Sequence, residues 1–115
     1  MAESYKYFPS EDLLLKKVVR GANMWAVSLE NTMLTYFEIE SNSRFEAHNH
    51  ISEQITHVLD GELFFKMAGK TIRVKAGEVI AIPSNVVHAA YTKEKKVKAV
   101  DAWSPPPEKY INKKN

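Results

Sequence analysis

The segment His48-Asn49-His50-Ile51-Ser52-Glu53-Gln54, followed by an apolar run that stops at Asp60-Gly61, decides the interpretation of this chain. On an extended strand, residues i and i+2 point to the same face, so His48 and His50 are expected to direct their imidazoles towards one point. Gln54 follows a polar bend at the start of a returning strand, where its amide oxygen can approach both rings. The segment therefore predicts a site able to hold a metal ion.

A second segment far along the chain offers another imidazole. It starts at Gly77, continues through the apolar residues 79–82 to Pro83, and reaches His88 just after a strand and a turn. His88 is therefore a fourth ligand candidate. A His-x-His pair taken alone is more often a surface pair than a metal site, so the assignment needs support from the rest of the chain.

Length and composition indicate an ordinary globular protein. The chain has 115 residues, 44% hydrophobic and 26% charged, which predicts a single domain over 1–115. No apolar run approaches the ~20 residues of a membrane span, and no signal-peptide pattern is visible, so we expect a cytoplasmic protein without a membrane partner. The absence of cysteine excludes disulfides and a thiolate metal site.

The net charge of +2 arises from lysines that cluster at Lys93–Lys98 and in the tail 109–115. Such clusters are more typical of a solvated hairpin tip and a frayed terminus than of a nucleic-acid surface. Since no aromatic-rich basic stripe accompanies them, we expect no nucleic-acid partner.

Strand patterns dominate the rest of the chain. A short helical turn is predicted at Ser10–Asp12, with Ser10 as its cap. From Met24 to Trp103 the chain reads as eight or nine short strands separated by turn residues, without a second domain or a repeat. This pattern predicts an all-β barrel or sandwich.

The alternation of side chains along a strand, called parity below, predicts which of them reach the interior. Glu46 shares a face with His48 and His50, whereas Phe45 is expected on the other face. Gln54 and the residues two and four positions later share a face, so His57 is expected at the surface or in a dimer interface.

The final strand carries an unusual carboxylate. Val97, Ala99, Asp101 and Trp103 alternate onto one face, and a buried unpaired carboxylate would be costly. Asp101 is therefore either a functional group or a rim residue hydrogen-bonded to backbone.

The two histidine segments resemble the paired motifs of the cupin superfamily. His48, His50, Gln54 and Gly61 match the first motif, and Gly77, Pro83 and His88 match the second; two linked motifs with fixed spacing are hard to obtain by chance. Asn42 and Asn85 stand where the family has glycine, and asparagine tolerates left-handed backbone. The resemblance implies a double-stranded β-helix, a small jelly-roll barrel with a divalent transition metal such as Zn, Ni, Fe or Mn inside.

A narrower resemblance is to the KdgF-type cupins of pectin and uronate degradation. It implies that His48, His50, Gln54 and His88 bind the metal and that Asp101 and Trp103 serve activity. Gln54 replaces the more common Glu, so four neutral ligands would leave the charge of the ion uncompensated and favour an anionic substrate. Pro107 stands where the KdgF-type pattern has arginine. Either another cation, Arg20, Arg44 or Arg73, takes the role of that arginine in binding a uronate carboxylate, or the substrate differs from that of the KdgF-type cupins.

The resemblance implies an enzyme that opens a cyclic unsaturated uronate to its linear keto form without redox change. Asp101 would move a proton, first as base, and Trp103 would offer a face to the sugar ring. An iron or copper dioxygenase and a non-catalytic cupin that binds a small ligand are the alternatives, so whether the chain is an enzyme stays open. We also expect a homodimer, held partly by the amino-terminal strands around Met24-Trp25.

Overall fold

A computed structural model describes residues 5–111 of the chain as strands joined by short turns. The elements are a 3₁₀ turn at Ser10–Asp12, β1 (Lys16–Val19), β2 (Ala22–Ser28), β3 (Met33–Ile39), β4 (Arg44–His48), β5 (Glu53–Asp60), β6 (Glu62–Met67), β7 (Lys70–Lys75), β8 (Val79–Ile82), β9 (His88–Tyr91), β10 (Val97–Ser104) and α1 (Glu108–Ile111). No helix in this part of the chain is long and apolar enough to cross a membrane.

The strands form two antiparallel sheets. One sheet has six strands in the order β1-β2-β3-β10-β5-β8, and the other has four in the order β4-β9-β6-β7. Consecutive strands lie in different sheets at several points, which gives the jelly-roll arrangement of a double-stranded β-helix. The predicted all-β cupin fold is therefore confirmed.

The core lies between the two sheets and follows the alternation of the strands. In β10, Val97, Ala99, Asp101 and Trp103 are buried, while Lys98 and Ala102 between them are exposed. Fully buried side chains such as Met24 and Val58 each contribute about 1.5–3 kcal/mol relative to exposure. The hydrophobic pattern thus fixes which face of each strand lines the interior.

Tight turns depend on residues that tolerate left-handed backbone. Asn42 and Asn85 have φ angles of 55° and 66°, which confirms the prediction that asparagine preserves turns where the cupin motifs have glycine. At Gly61, φ is 81°, and a Cβ atom there would collide with the backbone carbonyl of Lys96. Gly61 therefore lets β5 turn into β6 against the loop that joins β9 to β10.

A bulge in β4 corrects the parity prediction. Phe45 pairs with Ala90 and His48 pairs with His88, so β4 spans three residues where β9 spans two. The extra residue turns both Phe45 and His48 inward, and Phe45 packs against the core instead of facing away. Simple alternation was wrong here because it assumed an unbroken ladder.

Other boundaries also differ from the sequence predictions. The segment predicted to hold eight or nine strands contains nine, β2 to β10, and β1 precedes them. Pro9, not Ser10, occupies the cap position of the first turn, without a side-chain cap bond. Met24 is fully buried and cannot form a surface for a second copy. Part of the tail expected to fray forms α1, and residues 1–4 and 112–115 of the predicted termini lie outside the described residues.

Candidate metal centre

Three histidines from different segments converge at one end of the space between the sheets. His48 closes β4, His88 opens β9, and His50 lies in the loop after β4 rather than on the same strand as His48. The ring centroids of His48 and His88 are 4.5 Å apart, and that of His50 lies 5.3 Å and 4.9 Å from them. One ligand nitrogen from each ring lies within 4.8 Å of the others, a spacing that can hold one metal ion.

Hydrogen bonds on the far side of each ring fix the tautomer of its neutral form. The Nδ1 atoms of His48, His50 and His88 lie 3.0, 2.8 and 2.8 Å from the backbone carbonyl oxygens of Glu46, Ser52 and Val86. A carbonyl only accepts, so each Nδ1 must hold the ring proton and donate it. Each neutral imidazole then keeps a lone pair on Nε2, the form in which histidine binds metal.

Gln54 presents its amide oxygen to the histidines. Its Nε2 donates to Thr56 Oγ1 at 2.9 Å, which orients the amide, and its Oε1 lies 3.1 Å from His50 Nε2. In the neutral His50 ring with its proton on Nδ1, the lone pairs of Nε2 and Oε1 face each other at that distance. A cation removes this repulsion, and two ligands bound at right angles to one ion at about 2.1 Å lie about 3 Å apart. The donor set therefore fits a divalent transition metal.

Neutral groups make up the whole donor set. Burial lowers the pKa of the His88 imidazole, and the neighbouring histidines and the ammonium of Lys109 lower it further, although a hydrogen bond to the Val86 carbonyl acts in the opposite direction. The lowered pKa favours the neutral form of His88, which is the form that binds metal. With no carboxylate among the four donors, a bound divalent ion keeps its charge and attracts anions.

Asp101 lies beside this donor set in the interior of the six-stranded sheet. It is in register with Thr35 on one side and Thr56 on the other, and it is only 6% exposed. Burial raises the pKa of its carboxyl from 3.8 to about 7, and a hydrogen bond from the Thr56 side chain acts in the opposite direction. Its Oδ1 is the only buried side-chain oxygen or nitrogen of the described residues without a hydrogen-bond partner.

Thr56 connects Asp101 to the donor set. Its hydroxyl accepts from the amide of Gln54 and donates to the carboxylate of Asp101. One threonine therefore orients a donor amide and a buried acid together. The alternation of β5 placed Thr56 on the inner face, but sequence analysis gave it no role.

Aromatic side chains form one wall next to the histidines. The indole of Trp103 donates to Thr35 Oγ1 at 2.9 Å, and its ring centroid lies 5.4 Å from that of His50. Tyr110 of α1 packs against Trp103 at 5.4 Å, and burial, then the charge of Asp101, raise the pKa of its phenol. Tyr110 therefore stays protonated and closes this wall; only its place in the carboxyl-terminal pattern could have drawn attention to it.

A cavity of about 420 Å³ joins these groups. His48, Gln54, His88, Asp101 and Trp103 line it, so the structure brings five of the six predicted site residues to one cavity, with His50 in ring contact with Trp103 and both other histidines. Its size is typical of a small-molecule site.

Three other predicted positions fall as follows. Glu46 also lines the cavity but is exposed, and its backbone carbonyl orients His48. His57 points to the outer face of the six-stranded sheet, in register with Val79 and Val100, as parity predicted. Arg73 forms an ion pair with Glu62 at 3.2 Å and does not line the cavity.

Comparison with known protein families matches residues 35–103 to the Cupin domain. The matched segment spans β3 to β10 and contains all four predicted metal ligands. The chain therefore belongs to the cupin family.

Solved structures with the same fold cover nearly the whole chain. KdgF from Halomonas sp. is 20% identical over 90% of this chain and 97% of its own, with a TM-score of 0.81. An RmlC-like cupin from Shewanella frigidimarina is 19% identical over 95% and 96%, with a TM-score of 0.81. The polyketide cyclase RemF from Streptomyces resistomycificus is 23% identical over 90% and 82%, with a TM-score of 0.77. At these identities the likeness shows the fold; no curated protein sequence matches significantly.

Proposed function

We propose that His48, His50, Gln54 and His88 bind one divalent transition metal and that this cupin opens a cyclic unsaturated uronate to its linear keto form. The observation that carries the proposal is Asp101, a buried acid whose Oδ1 has no protein partner and which lines the same cavity as the neutral donor set. An unpaired buried carboxyl costs stability, so its retention at this position favours a functional role.

The reaction needs proton transfer without a change of oxidation state. Ring opening removes the proton of the hemiacetal hydroxyl, breaks the bond from that carbon to the ring oxygen, and forms a carbonyl and an enolate. The enolate then becomes a ketone when a proton is added to the neighbouring carbon. A bound divalent ion would supply Lewis-acid polarisation of a substrate oxygen.

Asp101 suits both proton transfers. Burial raises the pKa of the Asp101 carboxyl to about 7, which suits a group that accepts one proton and returns another. The charge of a bound divalent ion would favour the carboxylate form, so Asp101 would act first as base. Trp103, held by its bond to Thr35, would keep the sugar ring between the aromatic wall and the donor set.

The decisive experiment is an assay of wild-type protein with an unsaturated uronate under air and under strict anaerobiosis. We expect equal turnover in both, because no step consumes dioxygen. Turnover that requires dioxygen would support the alternative of an iron or copper dioxygenase. Metal binding without turnover of any uronate would support a non-catalytic cupin that binds a small ligand.

We also propose that two copies pair through the outer face of the six-stranded sheet. A row of side chains crosses five strands in register, namely Trp25, Tyr36, Val100, His57 and Val79. The next row contains Leu34 and Ile55, which are 43% and 51% exposed. Lys98 lies in register between Glu38 and Asp60 beside these rows, so the face carries both signs of charge and can match its own copy across a two-fold axis.

A further inference from the structure

Lys109 reaches the cavity from α1, a segment that the cavity wall itself holds in place. Tyr110 packs against Trp103 at 5.4 Å and against Phe37 at 5.8 Å, which anchors the helical turn. The Nζ atom of Lys109 lies 5.0 Å from the centroid of the Tyr110 ring, and Lys109 lines the cavity that contains the donor set. The fold therefore delivers a cation to the site although α1 is only one turn long.

The ammonium of Lys109 has no anionic partner in the part of the chain that is described. The only ion pair within residues 5–111 joins Arg73 to Glu62. The face of the Tyr110 ring steadies the ammonium without neutralising it. Lys109 lines the cavity and stays exposed to solvent, and its partial burial lowers the pKa of the ammonium.

Two other cations, Arg20 and Arg44, also line the cavity. Arg20 lies in the turn between β1 and β2, and Arg44 begins β4, in register with Tyr91. Lys109 differs from both because its neighbour Tyr110 packs against Trp103, whose ring contacts His50 of the donor set. Lys109 is therefore the cation that is held at the aromatic wall beside the donor set.

We propose that Lys109 binds the carboxylate of an anionic sugar acid in this cavity and so supplies the cation that Pro107 lacks. The inference deepens the proposed function and rests on it for the identity of the substrate class. An ammonium is a compact point charge with three hydrogen-bond donors. It can bind a carboxylate without the fixed two-point geometry that an arginine requires. Lys109 is then a specificity-determining residue, and it leaves proton transfer to Asp101.

The test measures binding rather than turnover. Zinc-loaded protein is titrated by calorimetry with D-galacturonate and with D-galactose, which differ in the carboxylate. Wild type should bind galacturonate more tightly than galactose. Lys109→Gln should weaken galacturonate binding by about 10-fold or more and leave galactose binding unchanged, since a charge-assisted hydrogen bond is lost. Lys109→Arg should keep the preference.

Lys70→Gln is the matched control, because Lys70 is an exposed lysine on β7 of the four-stranded sheet, outside the cavity and the proposed dimer face, and its loss changes the net charge equally. An equal loss of galacturonate binding in Lys70→Gln would overturn the inference, as would a wild type without preference or a Lys109→Gln variant that keeps it. Failure of the proposed function is separate: a wild type that prefers galacturonate through Lys109 but opens no unsaturated uronate rejects the reaction and keeps the carboxylate site.

Discussion

His48 and His88 are direct partners across the antiparallel pair β4 and β9, with ring centroids 4.5 Å apart. Strand pairing, not a flexible loop, therefore sets their separation. The bulge before His48 turns its ring inward, and the carbonyl of Val86 orients the ring of His88. Both halves of the site are organised by backbone before any ion binds, which reduces the ordering cost of binding.

Removal of these two rings should abolish metal binding. The double variant His48→Ala/His88→Ala keeps two of four donors, so we expect elemental analysis after dialysis to find no bound divalent metal where wild type has one ion per chain. His57→Ala is the control, since His57 lies on the outer face and should leave the metal content unchanged. Equal metal in the double variant and in wild type would contradict the assignment.

Asp101→Asn should separate catalysis from metal binding. The amide keeps the shape of the side chain but cannot accept a proton, so we expect uronate turnover to fall by a factor on the order of 10²–10⁴. Metal content should stay at the wild-type value because Asp101 is not among the predicted donors. Turnover is followed by the absorbance of the unsaturated sugar. A wild-type rate would reject the mechanism, and loss of metal would place Asp101 in support of the donor set.

The same substitution should change how stability depends on pH. Because the folded-state pKa of Asp101 is raised from 3.8 to about 7, the folded state binds more protons than the unfolded state between these values. The free energy of unfolding therefore falls as pH rises from about 4 to 7, by an amount on the order of 4 kcal/mol from this group. The free energy of unfolding of Asp101→Asn should not show this fall, because the amide does not titrate.

Urea unfolding of metal-free wild type and Asp101→Asn at pH 4.5, 6 and 8 measures the effect. Subtracting the two free energies of unfolding removes the contribution of the histidines, which both proteins share. The free energy of unfolding of the variant minus that of wild type should increase as pH rises to 7 and then stay constant. A difference that is independent of pH would show that Asp101 titrates normally in the folded protein.

A charge on the outer face of the six-stranded sheet should break the dimer. Ile55 is 51% exposed in the second of the two rows, so Ile55→Glu would bury a carboxylate in the proposed interface. We expect a dimer mass for wild type and a monomer mass for the variant by light scattering at micromolar concentration. Leu14→Glu, at an exposed leucine outside this face, should remain dimeric. A monomeric wild type would refute the interface.

The strand pattern, the family and the candidate ligands were predictable from the sequence alone. Alternation of apolar residues on β10 and β5 correctly placed Asp101 and Gln54 on inner faces, because side chains on a regular strand alternate strictly. The linked motifs around His48 and His88 carried enough fixed spacing to indicate a cupin, and the left-handed φ angles of Asn42 and Asn85 follow from local backbone chemistry.

Features that depend on pairing between distant segments could be seen only in the folded structure. The bulge at Phe45 is defined by register against β9, so no local pattern on β4 could reveal it. The unpaired oxygen of Asp101 and its raised pKa arise from burial between two threonines on neighbouring strands. Lys109 had the sequence signature of a frayed tail and reaches the cavity because Tyr110 packs on Trp103. Contacts of this kind join residues far apart in the chain, and their energies exist only once the fold has brought them together.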